Sequence, residues 1–114
     1  LMSDLPRRID ILERAKEWQT WPLLREGVRI LVLDEGLDGS GRIALLRYDP
    51  GASVPRHIHR GRETIYVLEG TQEDDTGTHG AGTWLSNPPG THHSIRSPNG
   101  CLVLIQWSLP VEFL

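Results

Sequence analysis

Residues 51–70 read GASVPRHIHRGRETIYVLEG and contain the most informative residue spacing in the chain. Side chains two residues apart on a β-strand point to the same face, so His57 and His59 are predicted to aim at one point. Glu63 follows across a tight turn, in which Gly61 permits the chain to reverse. The segment therefore predicts that two imidazoles and one carboxylate converge.

Residues 82–93, GTWLSNPPGTHH, form a second group that ends in adjacent histidines. His93 is predicted to supply a third imidazole from a different strand. His92 should point to the opposite face of that strand, and we interpret it as a surface or interface histidine in preference to a ligand.

The ligand set formed by His57, His59, His93 and Glu63 suits a first-row transition metal: zinc, iron, manganese, nickel or cobalt. A metal requires neutral imidazole and ionised carboxylate, and both forms exist at pH 7. An isolated strand histidine is more often a half-exposed structural residue. The complete set at this spacing instead predicts one divalent metal ion per chain, whose identity the residue types leave open.

The rest of the chain is predicted to form short β-strands. Twelve glycines and eight prolines separate runs of aliphatic and β-branched residues. These runs cover residues 28–33, 42–48, 64–68, 82–85, 94–96 and 102–107. Short strands with turn residues between them are typical of a β-sandwich or barrel, so we expect one all-β domain.

Two acidic segments, residues 34–40 and 74–78, are predicted to be solvated hairpin turns. Their aspartates also suggest calcium binding. The EF-hand loop, however, requires a different order of ligands and a flanking pair of helices.

One segment, residues 10–19, has the pattern of a helix of two or three turns. Its apolar residues Ile11, Leu12, Ala15 and Trp18 repeat near every 3.6 residues. Ile9 and Ile11 also alternate with charged residues, which leaves a short strand as the alternative.

Composition excludes several classes of protein. The 15 acidic residues outnumber the 12 basic ones, and a net charge of −3 argues against nucleic-acid binding. No apolar run approaches the length of a membrane span and no signal peptide is visible, so we expect no membrane association and a cytoplasmic location. Cys101, the single cysteine, excludes an internal disulfide and a thiolate zinc site, and we expect it to be a buried, unreactive thiol.

Other polar side chains near the predicted site are interpreted as surface groups. Arg47, Arg56 and Glu69 are expected to form surface ion pairs in preference to an anion site. His79 is expected to be solvated in its hairpin.

Four tryptophans, at positions 18, 21, 84 and 107, are expected to pack in the core. Trp84 and Trp107 are placed on strands, against the barrel or a dimer face. Trp18 and Trp21 are expected to cover one end of the barrel or a partner subunit. The alternation of the last strand leaves open whether Gln106 or Trp107 faces the metal.

The two histidine groups resemble the two motifs of the cupin superfamily. The first group matches its motif at every position, and the second departs at Ser97, where the family usually has a structural asparagine. Residues 21–107 are similar, more specifically, to the cupin domain of ChrR-type anti-sigma factors and to acetylacetone dioxygenase-like cupins. The segments that carry this similarity are ALLR (44–47), PGA (50–52), TIYVLEG (64–70), AG (81–82) and GCL (100–102).

This resemblance implies a single-domain cupin jelly-roll barrel, or double-stranded β-helix, that holds one divalent metal and is commonly a homodimer. The family ligands correspond to His57, His59, Glu63 and His93.

The expected organisation is a short N-terminal helix or strand arm at residues 1–21, the barrel at residues 22–110 and a C-terminal tail at residues 111–114. In ChrR-type proteins a separate N-terminal zinc domain with a histidine and paired cysteines grips the sigma factor. This chain has one cysteine, so we do not expect sigma-factor binding unless the chain is part of a longer protein.

Functions from different classes agree with these residues. The first is an enzyme whose open metal site acts on a small oxygenated carbon compound, with dioxygenase-type chemistry. Glu63 is then a base or the fourth ligand, and Ile65, Val67 and Ile95 line an apolar site for a small-molecule ligand. The alternative is a non-enzymatic zinc-binding sensor or regulatory module related to ChrR-type proteins. A metal-free barrel used for protein association is a third interpretation, which the ligand set disfavours.

Overall fold

The computed structural model of the chain describes residues 5–39 and 41–114, which form mostly short strands. The helices of this part are α1 (Ile11–Ala15) and a 3-10 helix (Trp18–Thr20). Its strands are β1 (Leu23–Arg25), β2 (Val28–Asp34), β3 (Arg42–Tyr48), β4 (Ala52–Ile58), β5 (Glu63–Asp74), β6 (Gly77–Gly80), β7 (Trp84–Asn87), β8 (His92–Ser97), β9 (Cys101–Trp107) and β10 (Glu112–Phe113). The predicted all-β domain is confirmed.

The strands pair in the order β1-β2-β3-β9-β5-β8-β4-β10, and β6 and β7 attach to β5. All of these pairs are antiparallel. The N-terminal half of β5 pairs with β7 and β9, whereas its C-terminal half pairs with β6 and β8. One long strand therefore belongs to both faces of the barrel.

β5 passes from one face to the other at Gly70. This residue has a φ of +74°, and a Cβ at this position would collide with the carbonyl oxygen of Gly100. The register of β5 against β9 also shifts between Val67 and Glu69. The positive φ and the close approach of the two backbones both require glycine here.

Alternating side chains fill the barrel interior. In β5, Glu63, Ile65 and Val67 are buried, and Tyr66 between them is exposed. Glu63, Ile65 and Val67 therefore share the inward face of the strand. The buried interior core consists of Val28, Ile30, Ala44, Leu46, Tyr48, Ile65, Val67, Ile95, Cys101, Val103 and Ile105.

A second core covers the outer face of β3 and β9. Trp21 is 2% exposed and packs against Leu45 and Leu102, which are completely buried. Ile11 and Trp18 pack on the same cluster and are partly buried. The N-terminal segment therefore covers the outside of the sheet and does not close the barrel.

This segment is helical, so the strand alternative is wrong. Asp10 caps α1, because its Oδ1 accepts a hydrogen bond from the backbone N–H of Glu13 at 3.1 Å. The helix is shorter than predicted. It ends at Ala15, and Glu17 leaves helical geometry with φ −96° and ψ 16°, which turns the tryptophans onto the sheet.

Trp84 is 62% exposed, so the predicted core packing is wrong for this residue. It lies opposite Tyr66 in the β5–β7 pair, and both aromatic rings are exposed. The adjacent Leu85 lies opposite Ile65 and packs on the interior core. The strand pleat therefore decides which side chain is buried, whatever its hydrophobicity.

The sequence pattern does not predict β1, β6 and β10, which have two to four residues each. Within the predicted tail, β10 pairs Phe113 with His57 of β4. Residues 1–4 of the predicted arm and Ser40 of the predicted turn lie outside the described residues. In the part of the chain that the structure describes, no helix has the length and apolar character needed to cross a membrane.

Candidate metal centre

Three histidines meet inside the barrel. His57 in β4 lies opposite His93 in β8, and His59 follows just beyond the end of β4. Ring centroids are 4.7 Å apart for His57–His93 and His59–His93 and 5.2 Å apart for His57–His59. One ring nitrogen of each histidine lies within 4.8 Å of those of the other two. The structure thus brings together the three imidazoles that the sequence predicts.

Backbone carbonyl groups orient two of these rings. His57 Nδ1 donates to the carbonyl oxygen of Pro55 at 2.8 Å, and His59 Nδ1 donates to that of Thr91 at 3.0 Å. A carbonyl oxygen can only accept a hydrogen bond, so each ring carries its proton on Nδ1 and a lone pair on Nε2. Metal-binding histidines are usually oriented in this way.

Asp74 orients the third ring. Its Oδ2 lies 3.3 Å from His93 Nδ1, and its Oδ1 accepts hydrogen bonds from Thr76 and His79. Burial by itself raises the pKa of Asp74, but the hydrogen bonds from Thr76 and His79 outweigh it and bring the pKa to about 2. The predicted solvated turn is therefore wrong for Asp74, whose side chain is 4% exposed, and for His79, which is a half-buried partner of this carboxylate.

The Nε2 atoms are the free ligand positions of the cluster. Among the described residues, the buried Nε2 of His93 has no hydrogen-bond partner, and that of His59 faces an acceptor, the Glu63 carboxylate oxygen at 3.2 Å. A buried polar atom without a partner is costly unless a ligand satisfies it. These nitrogens fit a divalent transition metal.

For two of the three histidines the surroundings also favour the neutral ring that a metal requires. Burial lowers the pKa of His57, and burial together with the two other imidazoles lowers that of His93. Burial acts on His59 in the same direction, but the Glu63 carboxylate outweighs it and raises the pKa above its ordinary value.

Glu63, the predicted fourth ligand, lies beside the histidine cluster. It is 4% exposed, its Oε1 is 3.2 Å from His59 Nε2, and Asn87 Nδ2 donates to the same oxygen at 3.3 Å. The sequence predicts that Gly61, two residues before Glu63, permits the chain to reverse, but the structure requires glycine there for lack of space. Its φ is not positive, but a Cβ there would collide with the Ser108 side chain.

A cavity of about 290 Å³ lies against His57 and Glu63. This volume is near the lower limit of small-molecule sites, which is about 300 Å³. Trp107 lines the cavity and Gln106 is exposed, which resolves the ambiguity of the last strand. The aliphatic part of the wall includes two of the three residues expected there, Ile65 and Ile95. Its other members are Leu24, Val28, Leu46, Val54, Ile105, Pro110 and Val111. Val67, the third expected residue, is buried in the core behind it.

Polar side chains that no motif predicts also line this cavity. Tyr48 and Gln72 are 4% and 1% exposed, and Gln72 Oε1 has no hydrogen-bond partner among the described residues. Burial raises the pKa of Tyr48 above its ordinary value, so its hydroxyl is protonated. Arg25 and Phe113 line the cavity from β1 and β10. Their spacing in the chain carries no signal that could have identified them.

Several residues interpreted as surface groups lie where the sequence predicts. His92 is exposed on the face opposite His93, and its Nδ1 is 2.9 Å from the Arg56 guanidinium. Arg56 also pairs with Asp75 at 2.8 Å, and Arg47 pairs with Glu69 at 3.0 Å.

Two buried residues that follow the second histidine group in the chain have structural roles. Cys101 is 2% exposed, and burial raises the pKa of its thiol, as expected for an unreactive cysteine. Ser97 is completely buried and donates to the carbonyl oxygen of Thr71 at 2.6 Å. The serine therefore ties β8 to β5 at the position where the cupin motif usually has asparagine.

Sequence comparison identifies relatives of the chain. The profile of a family described as the ChrR cupin-like domain matches residues 8–109. The anti-sigma-E factor ChrR of Cereibacter sphaeroides is 33% identical over 106 residues, which are 91% of this chain and 49% of that protein. The chain thus spans about half the length of this curated relative.

Solved structures share the fold. An acetylacetone dioxygenase from Acinetobacter johnsonii matches with a TM-score of 0.80 and 18% identity, covering 97% of this chain and 78% of that one. A chain of the Rhodobacter sphaeroides complex of SigE with the anti-sigma ChrR matches with a TM-score of 0.69 and 24% identity, covering 93% and 71%. The predicted cupin jelly-roll barrel is confirmed.

Proposed function

The chain belongs to the ChrR cupin-like domain family, and we propose that it binds one divalent transition metal through the Nε2 atoms of His57, His59 and His93. One observation carries this proposal: the hydrogen bonds of Nδ1 leave Nε2 of all three clustered rings for a ligand. Glu63 is the fourth ligand or remains free as a base.

We propose further that this centre acts on a small oxygenated organic compound held in the adjoining cavity. A divalent metal supplies Lewis-acid polarisation of a carbonyl or enolate oxygen, and iron also supplies dioxygen chemistry. The aliphatic walls exclude water from a bound compound. Glu63, on the cavity wall beside His59, is placed to accept a proton from it.

Metal content tests the first proposal. The protein is purified without chelators or metal-affinity resin, and elemental analysis is combined with X-ray absorption to count ligands. We expect about one metal ion per chain, and loss of the ion in His57→Ala and in His93→Ala. His92→Ala is the matched control, because His92 adjoins His93 but points outward. Stoichiometric metal in both cluster variants contradicts the assignment.

The identity of the metal then tests the second proposal. Iron, nickel or manganese with five or six ligands, water included, supports an enzyme and calls for a substrate screen. Zinc closed by four protein ligands contradicts an open catalytic centre.

The identity to ChrR favours a second candidate function, a zinc-binding sensor or regulatory module. In that case the metal is structural, or responds to a ligand or an oxidant. A melting temperature that depends on metal, without any turnover, supports this candidate. Ready turnover of a small dicarbonyl contradicts it.

Sigma-factor binding, which we do not expect of this chain by itself, is tested by co-purification with a sigma factor encoded nearby.

A homodimer and a cytoplasmic location remain predictions. Tyr66 and Trp84 are 40% and 62% exposed and lie opposite each other on the outer face of the sheet, which supports an interface between copies. Analytical ultracentrifugation of the wild type and of Trp84→Ser tests it. A wild type that stays monomeric at every concentration contradicts the dimer.

A further inference from the structure

We infer that the cavity binds a small organic anion whose carboxylate pairs with Arg25, an inference that rests on the proposed function of the adjoining metal centre. Arg25 ends β1, is partly buried and lines the cavity. Within residues 5–39 and 41–114, its guanidinium has no ion-pair or hydrogen-bond partner, and it lies over the aromatic ring of Phe113. The planar guanidinium can pair with a carboxylate through two parallel hydrogen bonds, and this one has no counter-ion among the described residues.

The aromatic ring that holds Arg25 also contacts the metal centre. The Arg25 guanidinium carbon lies 5.1 Å from the centroid of the Phe113 ring, and that ring lies 5.9 Å from the centroid of His57. Phe113 therefore separates the positive charge from the histidine cluster by about one ring. A ligand whose carboxylate is on Arg25 can extend along the cavity towards His57.

A second arginine on the cavity wall provides an internal comparison. Arg42 also lines the cavity, but its guanidinium pairs with Glu35 at 2.8 Å. Its charge is already matched by a carboxylate, whereas that of Arg25 is not. Of the two cavity arginines, Arg25 is the one available to an anion.

The remaining walls define the rest of the ligand. At the histidine end the ligand meets the proposed metal ion beside Glu63, and a ketone or hydroxyl oxygen suits that position. The aliphatic walls favour a hydrocarbon body, and the small volume limits its length. The ligand class is therefore a short monocarboxylate whose second oxygen, a ketone or hydroxyl, lies several carbons from the carboxylate.

Calorimetric titration of the zinc-loaded protein tests this inference with two ligands of equal shape, 5-oxohexanoate and its neutral amide, 5-oxohexanamide. We expect the acid to bind at least about tenfold more tightly than the amide, as expected for a charge-assisted pair. Arg25→Met should abolish this preference, and Arg25→Lys should retain part of it, since lysine keeps the charge without the planar fork. Arg42→Met is the matched control and should keep the full preference.

The outcomes separate the inference from the proposed function. Equal binding of acid and amide overturns the inference and leaves the metal centre and its cavity in place. A preference for the acid that persists in Arg25→Met also overturns it. Binding of neither ligand to protein with one zinc per chain contradicts the small-molecule function, and the inference fails with it. Loss of zinc from Arg25→Met also overturns the inference, because the inference assigns Arg25 to ligand binding and not to metal binding.

Discussion

The proposed metal centre and the rim of the cavity are neighbours in space, yet the chain builds them in different ways. His57, His59 and His93 are 2–4% exposed and lie on or next to six- and seven-residue strands. The rim is formed by β1 and β10, which have three and two residues, and Phe113 is 52% exposed. Long paired strands can hold ligand atoms to the tolerance that a metal requires. Short exposed segments can vary without loss of the barrel, which makes the rim the region where ligand choice is set.

A substitution that distorts β5 should destabilise both regions, and we expect it to have the largest effect. Gly70→Ala forces a left-handed φ on alanine and a collision with the backbone of Gly100, so we expect a loss of about 3 kcal/mol or more in the free energy of unfolding. Gly51→Ala is the control, because Gly51 has a φ of +85° with no atom within 4 Å of the added Cβ, and should cost about 1–2 kcal/mol. Chemical denaturation measures both. Equal losses of stability would show that the close approach of Gly70 to the backbone of Gly100 adds no cost beyond the positive φ.

Removal of one metal ligand should affect the centre alone. At a free metal concentration 100-fold above Kd, a metal that binds only the folded state adds about 2.7 kcal/mol to stability. We expect this increment in the wild type and in His92→Ala, and none in His93→Ala. Thermal unfolding with and without added metal measures it. An undiminished increment in His93→Ala contradicts the assigned site.

Loss of the carboxylate behind the centre should weaken it without abolishing it. Asp74→Asn removes the charged acceptor of His93 Nδ1, and such changes typically reduce metal affinity about 10–100-fold. The adjacent Asp75→Asn is the control, because Asp75 is exposed and pairs with Arg56. Competition with a chelator of known affinity measures both. Equal metal affinities of the two variants would show that the Asp74 carboxylate stabilises the turn and does not support the metal site.

A change at the rim should have the smallest effect on the protein itself. Phe113→Ala removes a half-exposed ring, so we expect the free energy of unfolding to change by less than about 1 kcal/mol and zinc to remain bound. Binding of 5-oxohexanoate should weaken, because Arg25 loses the ring that orients it. Leu114→Ala, at an exposed neighbour outside the cavity wall, should change neither. Loss of zinc in Phe113→Ala would make the rim part of the centre.

Much of the centre is predictable because its signals are local. Histidines two apart on a strand share a face, and the glycines and prolines around them mark the turns. The same alternation correctly separates His92 from His93. It fails for Trp84, since an aromatic residue on a strand predicts burial only when the face it occupies is known.

Asp74 shows why the rest is not predictable. In the sequence it begins an acidic turn, and nothing nearby distinguishes it from the exposed Asp75. Its role arises because β5 and β8 pair at Glu73 and Arg96, which places its carboxylate beside His93, 19 residues away in the chain. The partly buried His79 has its role for the same reason.

The sequence by itself determined the all-β class, the three histidines and the adjacent carboxylate, because each depends on a period of two residues and on turn chemistry within a short segment. The tertiary structure alone decided that Asp74 supports His93, that Trp107 faces the cavity, and that Arg25 meets Phe113 from the opposite end of the chain. These contacts depend on strand register and on how the barrel closes. Those properties follow from packing over the whole chain, which no local pattern encodes.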